Sequence, residues 1–327
     1  MLTLPLRMRR NRKLDALRKL LAETHLKKAD LIAPLFVTEE NSGSRPISSI
    51  PGISCYSIDT LTPVAKALHK DGIQAVILFP IIHKKYKDEQ GSRAYQVDGI
   101  IPKALKLLKK EIPSLCLISD IALDPYTTHG HDGLVGASLE ILNDPTVAIL
   151  GKIAICHAEA GADLVAPSDM MDGRIGYIRK QLDLNGFTNT GILAYSIKYA
   201  SCFYSPFRAA LQSHPAFGNK KTYQMDPANA QEAILEAELD EKEGADILMV
   251  KPASNYLDII AKLKNHTTRP ICAYQVSGEY GMILAAHEKG LFDADDALYE
   301  SLLSIKRAGA DIIITYAAKR MLSLLDS

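Results

Sequence analysis

Three stretches of this chain are nearly the same phrase: AGADLVAP (160–167), EGADILMV (243–250) and AGADIIIT (308–315), with DGIQAVIL (71–78) as a looser fourth. In each, a glycine stands where a helix ends in the left-handed conformation, a short polar link follows, and an apolar strand begins. An amphipathic stretch precedes each phrase. In NAQEAILEAELDEKE (229–243), Ala230, Ile234, Ala237 and Leu239 fall near one face of a helix. The repeated phrase is the αβ half of a βα unit, used again and again.

Eight apolar runs rich in β-branched residues are spaced to leave a helix in each connection. They are LIAPLFV (31–37), AVILFP (75–80), LCLISD (115–120), DLVAPS (163–168), GILAYS (191–196), DILMVK (246–251), PICAYQV (270–276) and DIIITY (311–316). Eight such units predict an α/β fold, a parallel (β/α)8 TIM barrel over residues 31–327, rather than a doubly wound sheet. No G-x-G-x-x-G follows the first strand and no P-loop occurs, which weighs against nucleotide-binding folds. Residues 1–30 precede the first strand and read as an arm outside the barrel. That arm is rich in Arg and Lys. It contains Asp15 and Glu23 and almost no Ser, against a transit peptide, and no interleaved aromatics, against a nucleic-acid arm. A solvated amphipathic segment and a segment docking on a partner subunit are the readings that stay open.

With 327 residues, 47% hydrophobic and 23% charged, the chain has an ordinary globular composition. Its formal net charge is zero, so no global field points to nucleic acid or to a membrane surface. Cys55, Cys116, Cys156, Cys202 and Cys272 are scattered singly, which suits a reducing, cytoplasmic setting and argues against a disulfide framework or a structural zinc site. No apolar run approaches the roughly 18 residues of a membrane span.

Barrel enzymes carry their reactive groups at the C-terminal ends of the strands. Here those ends hold Asp120 (third strand), Ser168 and Asp169 (fourth), Lys198 (fifth), Lys251 (sixth), Ser277 and Glu279 (after the seventh) and Tyr316 (eighth). Polarity of loops accounts for the serines and aspartates. It accounts less well for two lysines on neighbouring strands, about 5 Å apart in a parallel pair. Two ammonium groups in a desolvated pocket suppress each other's charge, and a neutral lysine attacks carbonyls to form a Schiff base.

Two further stretches stand out. ISDIALDPYTTHGHDG (118–133) gathers Asp120, Asp124, His129, His131 and Asp132, which read either as ligands for a hard or borderline cation or as turn-formers. A long connection follows the fifth strand (203–227) and carries Arg208, Lys220, Lys221 and Gln224 among aromatics. Long loops in compact domains are usually lids or binding loops, and these cations suit a carboxylate-bearing substrate.

SDIALDPYTTHGHDG, APSDMMDGR, YSIKYASCFYSPFRAA, KKTYQMDPAN, MVKPA and YQVSGEYGM, in this order over essentially the whole chain, resemble the porphobilinogen synthase (5-aminolevulinate dehydratase) family. The resemblance implies asymmetric condensation of two molecules of 5-aminolevulinate to porphobilinogen, an early step of tetrapyrrole and haem synthesis. It implies a Schiff base on each of Lys198 and Lys251. Lys251 would hold the substrate that supplies the propionate side, with Ser277 and Tyr316 at its carboxylate and Asp120 and Ser168 at its amine. Lys198 would hold the acetate-side substrate, with Arg208, Lys220 and Gln224 at its carboxylate. A homo-octamer assembled through N-terminal arms is also implied.

Zinc-dependent members of that family carry three cysteines after the third strand, where this chain has Ala122, Asp124 and Asp132. Without thiolates a catalytic zinc is not expected. The pattern resembles the magnesium-responsive branch, in which Asp124 and Asp132 orient a substrate amine or hold a cation. An allosteric magnesium of the family corresponds to Glu236, with Glu232 and Glu238 close by, supported by arginines of a neighbour's arm such as Arg9, Arg10 or Arg12. A single-imine class I aldolase and an inactive relative retained as a scaffold are the rival readings. Two lysines and a complete set of carboxylate binders weigh against both.

Overall fold

The computed structural model describes residues 4–40 and 43–325. Eight parallel strands close on themselves: β1 (Leu31–Thr38), β2 (Ala75–Ile81), β3 (Cys116–Ile121), β4 (Leu164–Pro167), β5 (Gly191–Lys198), β6 (Ile247–Lys251), β7 (Ile271–Gln275) and β8 (Ile312–Thr315). The last strand pairs with the first, Leu31 beside Ile313 and Ile32 beside Ile314, so the sheet is a closed (β/α)8 barrel without free edges. All eight runs expected from the sequence are the barrel strands. Every residue of β1 and β7 is buried, as continuous apolar runs covered on both faces must be.

The recurring glycine sits where expected, and Gly309 shows why no other residue serves. Its φ is 122°, and a Cβ there would lie 2.8 Å from the Cβ of Lys264. The aspartate of each phrase has a role that the sequence pattern does not reveal. Asp163, Asp246 and Asp311 each donate their backbone N–H to the preceding strand, at Leu117, Ile192 and Ile271. Each also accepts, on its carboxylate, the N–H of that same residue, at 2.9, 2.7 and 2.9 Å. The Gly-Ala-Asp unit therefore ends a helix, turns, and staples the new strand to its neighbour at the N-terminal rim, opposite the end that carries the site.

The helix Gln231–Glu243 keeps the expected face at Ala237, which is buried, and at Ala230 and Ile234, which pack against the core, but not at Leu239. Ala233, Ala237 and Asp240 are its buried residues, while Leu235 and Leu239 are exposed. A buried ion pair takes a place on that face: Asp240 accepts from both terminal nitrogens of Arg174, at 3.3 and 3.2 Å. Two short antiparallel pairs, Ser44–Pro46 with Ser54–Tyr56 and Leu134–Val135 with Ile141–Leu142, decorate the connections after β1 and β3. At two or three residues each, they are too short for an alternating pattern to announce them.

Before the barrel, a 3-10 turn (Met8–Arg12) and a short helix (Asp15–Leu20) bury none of their residues. Among the described residues no helix is long and apolar enough to cross a membrane, and all five cysteines are unpaired.

Candidate active site

The β5–β6 register sets Lys198 directly beside Lys251, each the last residue of its strand. Their surroundings differ. The Nζ of Lys251 lies 4.6 Å from the ring centre of Tyr274, 5.0 Å from Tyr195, 5.1 Å from Tyr204 and 5.3 Å from Phe207. No carboxylate of the described residues lies within 4 Å of it. Burial, reinforced by the charge of Lys198, pushes the Lys251 amine down to about 7 against the pull of Asp120, Asp124 and Asp132. Its backbone is pinned as well, since its carbonyl accepts from Tyr199 N–H and from the Tyr204 hydroxyl. The Nζ of Lys198, by contrast, donates to the carbonyl of Ser168 and lies 3.7 Å from Asp132.

Around the two amines stands a ring of acids. Asp120, at the end of β3, accepts from Ser168 Oγ at 3.2 Å, while its other oxygen has no partner. Burial pushes its carboxyl up to about 7, opposed by Lys251 and Lys198. Burial also raises Asp132, but Lys198 and Lys220 outweigh it and hold this carboxyl well below its ordinary range. Lys220 reaches in from the long connection after β5, 2.8 Å from Asp132 and 3.4 Å from Asp124. Burial lowers the Lys220 amine, and the two aspartates more than compensate, so it stays a cation.

Lys198, Lys251, Asp120, Asp124, Asp132, Ser168, Arg208, Lys220 and Gln224 thus line one cavity of about 30 Å³, room for about two waters. The connection after β5 is closed over it. Its helix Ser205–Leu211 brings Phe207 and Arg208 onto the lysines. It is fastened by Ser49 Oγ donating to the Pro206 carbonyl at 2.7 Å, and by Lys87 Nζ donating to the Leu211 and Gln212 carbonyls at 3.1 Å each. Ser277 and Tyr316 are not among the lining residues. Ser277 Oγ accepts the N–H of Phe207 at 3.0 Å, and the Tyr316 hydroxyl lies 2.9 Å from that of Tyr274.

The cation reading of His129 and His131 fails on geometry. His129 Nε2 meets the Glu89 carbonyl, and both nitrogens of His131 are engaged by Phe217 and Tyr223. Among the described residues no three His, Cys, Asp or Glu side chains are placed to hold a metal ion. Glu236 lies elsewhere, on a cavity of about 720 Å³ that Asp172 and Glu232 also line. Burial pushes its carboxyl up to about 7, with Asp240, Asp172 and Glu232 adding repulsion and Arg174 opposing.

Sequence reasoning missed the aromatic cage of Lys251, because Tyr195 and Tyr274 sit inside strands and read as core. It also missed Arg174. This fully buried guanidinium donates to the Tyr195 carbonyl at 3.1 Å and lies 3.8 Å from Asp169, behind the strand ends. Its signal was a charge in the otherwise apolar start of the helix that follows DMMDG.

Paired buried amines at the C-terminal mouth of a closed barrel, ringed by carboxylates and closed over by a cationic loop, make up the equipment of a barrel lyase for carbonyl compounds. The sequence model of the delta-aminolevulinic acid dehydratase family matches residues 5–324, and the chain belongs to that family. It is 56% identical over 324 residues to the delta-aminolevulinic acid dehydratase of Chlamydia pneumoniae, covering 99% of this chain and 97% of the relative. It is 49% identical to that of Methanothermobacter thermautotrophicus, covering 98% and 97%. It is 51% identical to the chloroplastic enzyme of Physcomitrium patens, covering 97% and 73%. A crystal structure of the Toxoplasma gondii enzyme in complex with its product porphobilinogen superposes with a TM-score of 0.97 at 49% identity, covering 99% of this chain and 92% of that one. The activity is that of the family, condensation of two molecules of 5-aminolevulinate to porphobilinogen in haem biosynthesis.

Proposed function

We propose that the two substrates are held as imines on different lysines, the propionate-side molecule on Lys251 and the acetate-side molecule on Lys198. The observation that carries this reading is the register pairing of Lys198 with Lys251, together with the depression of the Lys251 amine to about 7. Near neutral pH a large fraction of Lys251 is the free amine, which attacks the substrate keto carbon; loss of water then leaves the imine. Asp120, pushed up to about 7, gains and loses its proton in the same pH range and carries Ser168 on one oxygen. It is therefore placed to give a proton to the departing hydroxyl and afterwards to accept one from the substrate amine. The small cavity and the closed connection keep bulk water from the imines.

Arg208, Lys220 and Gln224 ride on that connection and supply the carboxylate contacts of the Lys198 substrate. Ser277 and Tyr316 supply those of the Lys251 substrate once Phe207 swings away from Ser277. Lys220 already neutralises Asp132 and Asp124, so an arriving carboxylate shares this ammonium and leaves Asp124 and Asp132 free to take the substrate amine.

A catalytic metal does not fit at Asp124 and Asp132. The position a cation would neutralise is held by the Lys220 ammonium, and Ala122 offers no donor. Magnesium does fit at Glu236, where a half-buried carboxyl is crowded by Asp172 and Glu232 in a wide polar cavity. A hydrated ion that needs only one or two carboxylates would relieve that repulsion. Bound there, it would supply positive charge beside Glu236, Asp172 and Glu232. Self-association through the N-terminal arms, as a homo-octamer, is supported by the exposure of Leu6, Leu14 and Leu20 on a segment that buries none of its own helical residues. Arg9, Arg10 and Arg12 are exposed there too. Five unpaired cysteines support a reducing, cytoplasmic setting.

The test is colorimetric: porphobilinogen formed from 5-aminolevulinate by purified protein, with and without chelator. Activity lost to chelator and restored by magnesium supports the Glu236 site. Activity indifferent to chelator removes the metal from the account.

A further inference from the structure

The two histidines that hold no metal have every ring nitrogen occupied, and the partners of His131 belong to the connection that closes the site. His131 Nε2 lies 3.0 Å from the carbonyl oxygen of Phe217, and its Nδ1 lies 3.0 Å from the Tyr223 hydroxyl. The His131 ring packs on Phe217, centres 4.6 Å apart. His129 Nε2 lies 3.1 Å from the Glu89 carbonyl, and its Nδ1 accepts the backbone N–H of His131 at 3.2 Å. A carbonyl can only accept, so both Nε2 atoms carry hydrogen. Burial lowers both imidazoles, which makes the neutral tautomer with a bare Nδ1 the resident form of each. His131 Nδ1 therefore accepts a hydrogen bond from the Tyr223 hydroxyl, which also faces the Asp132 carboxylate, and the Tyr223 oxygen in turn accepts the Asp132 N–H at 3.4 Å.

Between the two histidines, Gly130 has φ 70°, and a Cβ there would lie 2.5 Å from the His214 carbonyl oxygen. The connection is thus pressed against backbone that has no room for a side chain. The N–H of Ala216 also donates to the His129 carbonyl at 2.9 Å. Tyr223 lies inside a single turn that runs from Lys220 to Gln224, closed by the Gln224 N–H on the Lys220 carbonyl at 2.9 Å. Both ends of that turn line the lysine cavity.

We propose that His131, oriented by His129, is a positioning residue that latches the connection shut and, through Tyr223, sets Lys220 and Gln224 at the acetate-side subsite. The proposal rests on the two-imine reading, because Lys220 and Gln224 serve the Lys198 substrate in it. It assigns the latch to one side of an asymmetric reaction. Loosening His131–Tyr223 disturbs the substrate on Lys198 and leaves the one on Lys251 in place.

The test uses the full-length protein with Tyr223→Phe, which keeps the ring and removes the proton donor, and with His131→Leu. Asparagine and glutamine replace one imidazole edge each, so His131→Asn keeps an acceptor near Nδ1 and His131→Gln a donor near Nε2. Borohydride trapping of 5-aminolevulinate, read by peptide mass spectrometry, reports each lysine separately. The expected result for Tyr223→Phe is a rise in KM of about three- to tenfold, the size of one lost hydrogen bond. Trapping at Lys198 should weaken while trapping at Lys251 stays as in the wild type. His131→Asn should restore part of the loss seen in His131→Leu, and Tyr223→Phe should add nothing in the His131→Leu background. Wild-type KM and trapping at both lysines in the variants would overturn the latch. So would parallel loss at both lysines with a lowered melting temperature, which would make the contact purely structural. If the wild type itself traps at only one lysine, the two-imine reading fails, a result distinct from either.

Discussion

Lys198 and Lys251 are register partners on adjacent parallel strands, yet one faces oxygen and the other faces rings. Lys198 gives a hydrogen bond to the Ser168 carbonyl and has Asp132 at 3.7 Å. Lys251 is boxed by Tyr195, Tyr204, Phe207 and Tyr274. A reaction that joins two copies of one molecule into an unsymmetrical product needs two unlike places to hold them. Side-by-side lysines with unlike surroundings provide that difference before any substrate arrives.

The pH profile should show it. Lys251 is depressed to about 7, and only its neutral form attacks a ketone. The acid limb of kcat/KM is therefore expected to rise through about pH 7. Asp120→Asn removes a neighbouring anion that favours the ammonium, so the limb moves to lower pH. Loss of the proton carrier also lowers kcat by about 100-fold or more. An unmoved limb in that variant would separate Asp120 from Lys251.

Removing Lys251 should raise stability while it abolishes activity. Lys251 is protonated in the unfolded chain up to its ordinary value but resists protonation in the fold. Its destabilising effect is complete below about pH 7 and fades as pH rises toward that ordinary value. Lys251→Met is expected to be inactive and more stable than the wild type, and the gain in melting temperature to be larger near pH 6.5 than near pH 9.5. Equal gains at both pH values would contradict the depressed amine.

Lys220 is the counter-ion of two buried carboxylates. Lys220→Met leaves Asp124 unpaired and Asp132 with Lys198 alone, a loss of about 3–5 kcal/mol for a broken buried ion cluster. Urea unfolding measures it, and adding Asp124→Asn should recover part of the loss.

Glu236→Gln keeps the shape of the side chain and removes its charge. The variant is expected to turn over without added magnesium as the untreated wild type does, and to give no further response when magnesium is added. A full magnesium response from it would place the ion elsewhere.

The eight strands were legible because each is an apolar run buried on both faces, and most are bounded by glycine or proline, which is the pattern that a closed parallel barrel imposes. The strand-end rule then placed Lys198, Lys251, Asp120 and Ser168 at one mouth, where the structure brings them together. Three things were hidden, each for a physical reason. Aromatic residues around Lys251 look like core until the barrel curvature turns them onto the amine. On Gln231–Glu243 the buried place of Asp240 depends on Arg174, which is distant in sequence, while Leu239, expected on the buried face, is exposed. His129 and His131 carry the residue types of a metal site, and only the folded chain shows that Glu89 and the lid residues Phe217 and Tyr223 occupy their nitrogens.

Reduction with borohydride during turnover, followed by peptide mass spectrometry, tests the two-imine claim most directly. In the wild-type protein both the Lys198 and the Lys251 peptides should carry reduced 5-aminolevulinate adducts, and in Lys198→Ala the Lys251 adduct should remain while product formation stops. Adducts confined to one lysine under every condition, or porphobilinogen formed at a substantial rate by either alanine variant, would contradict it.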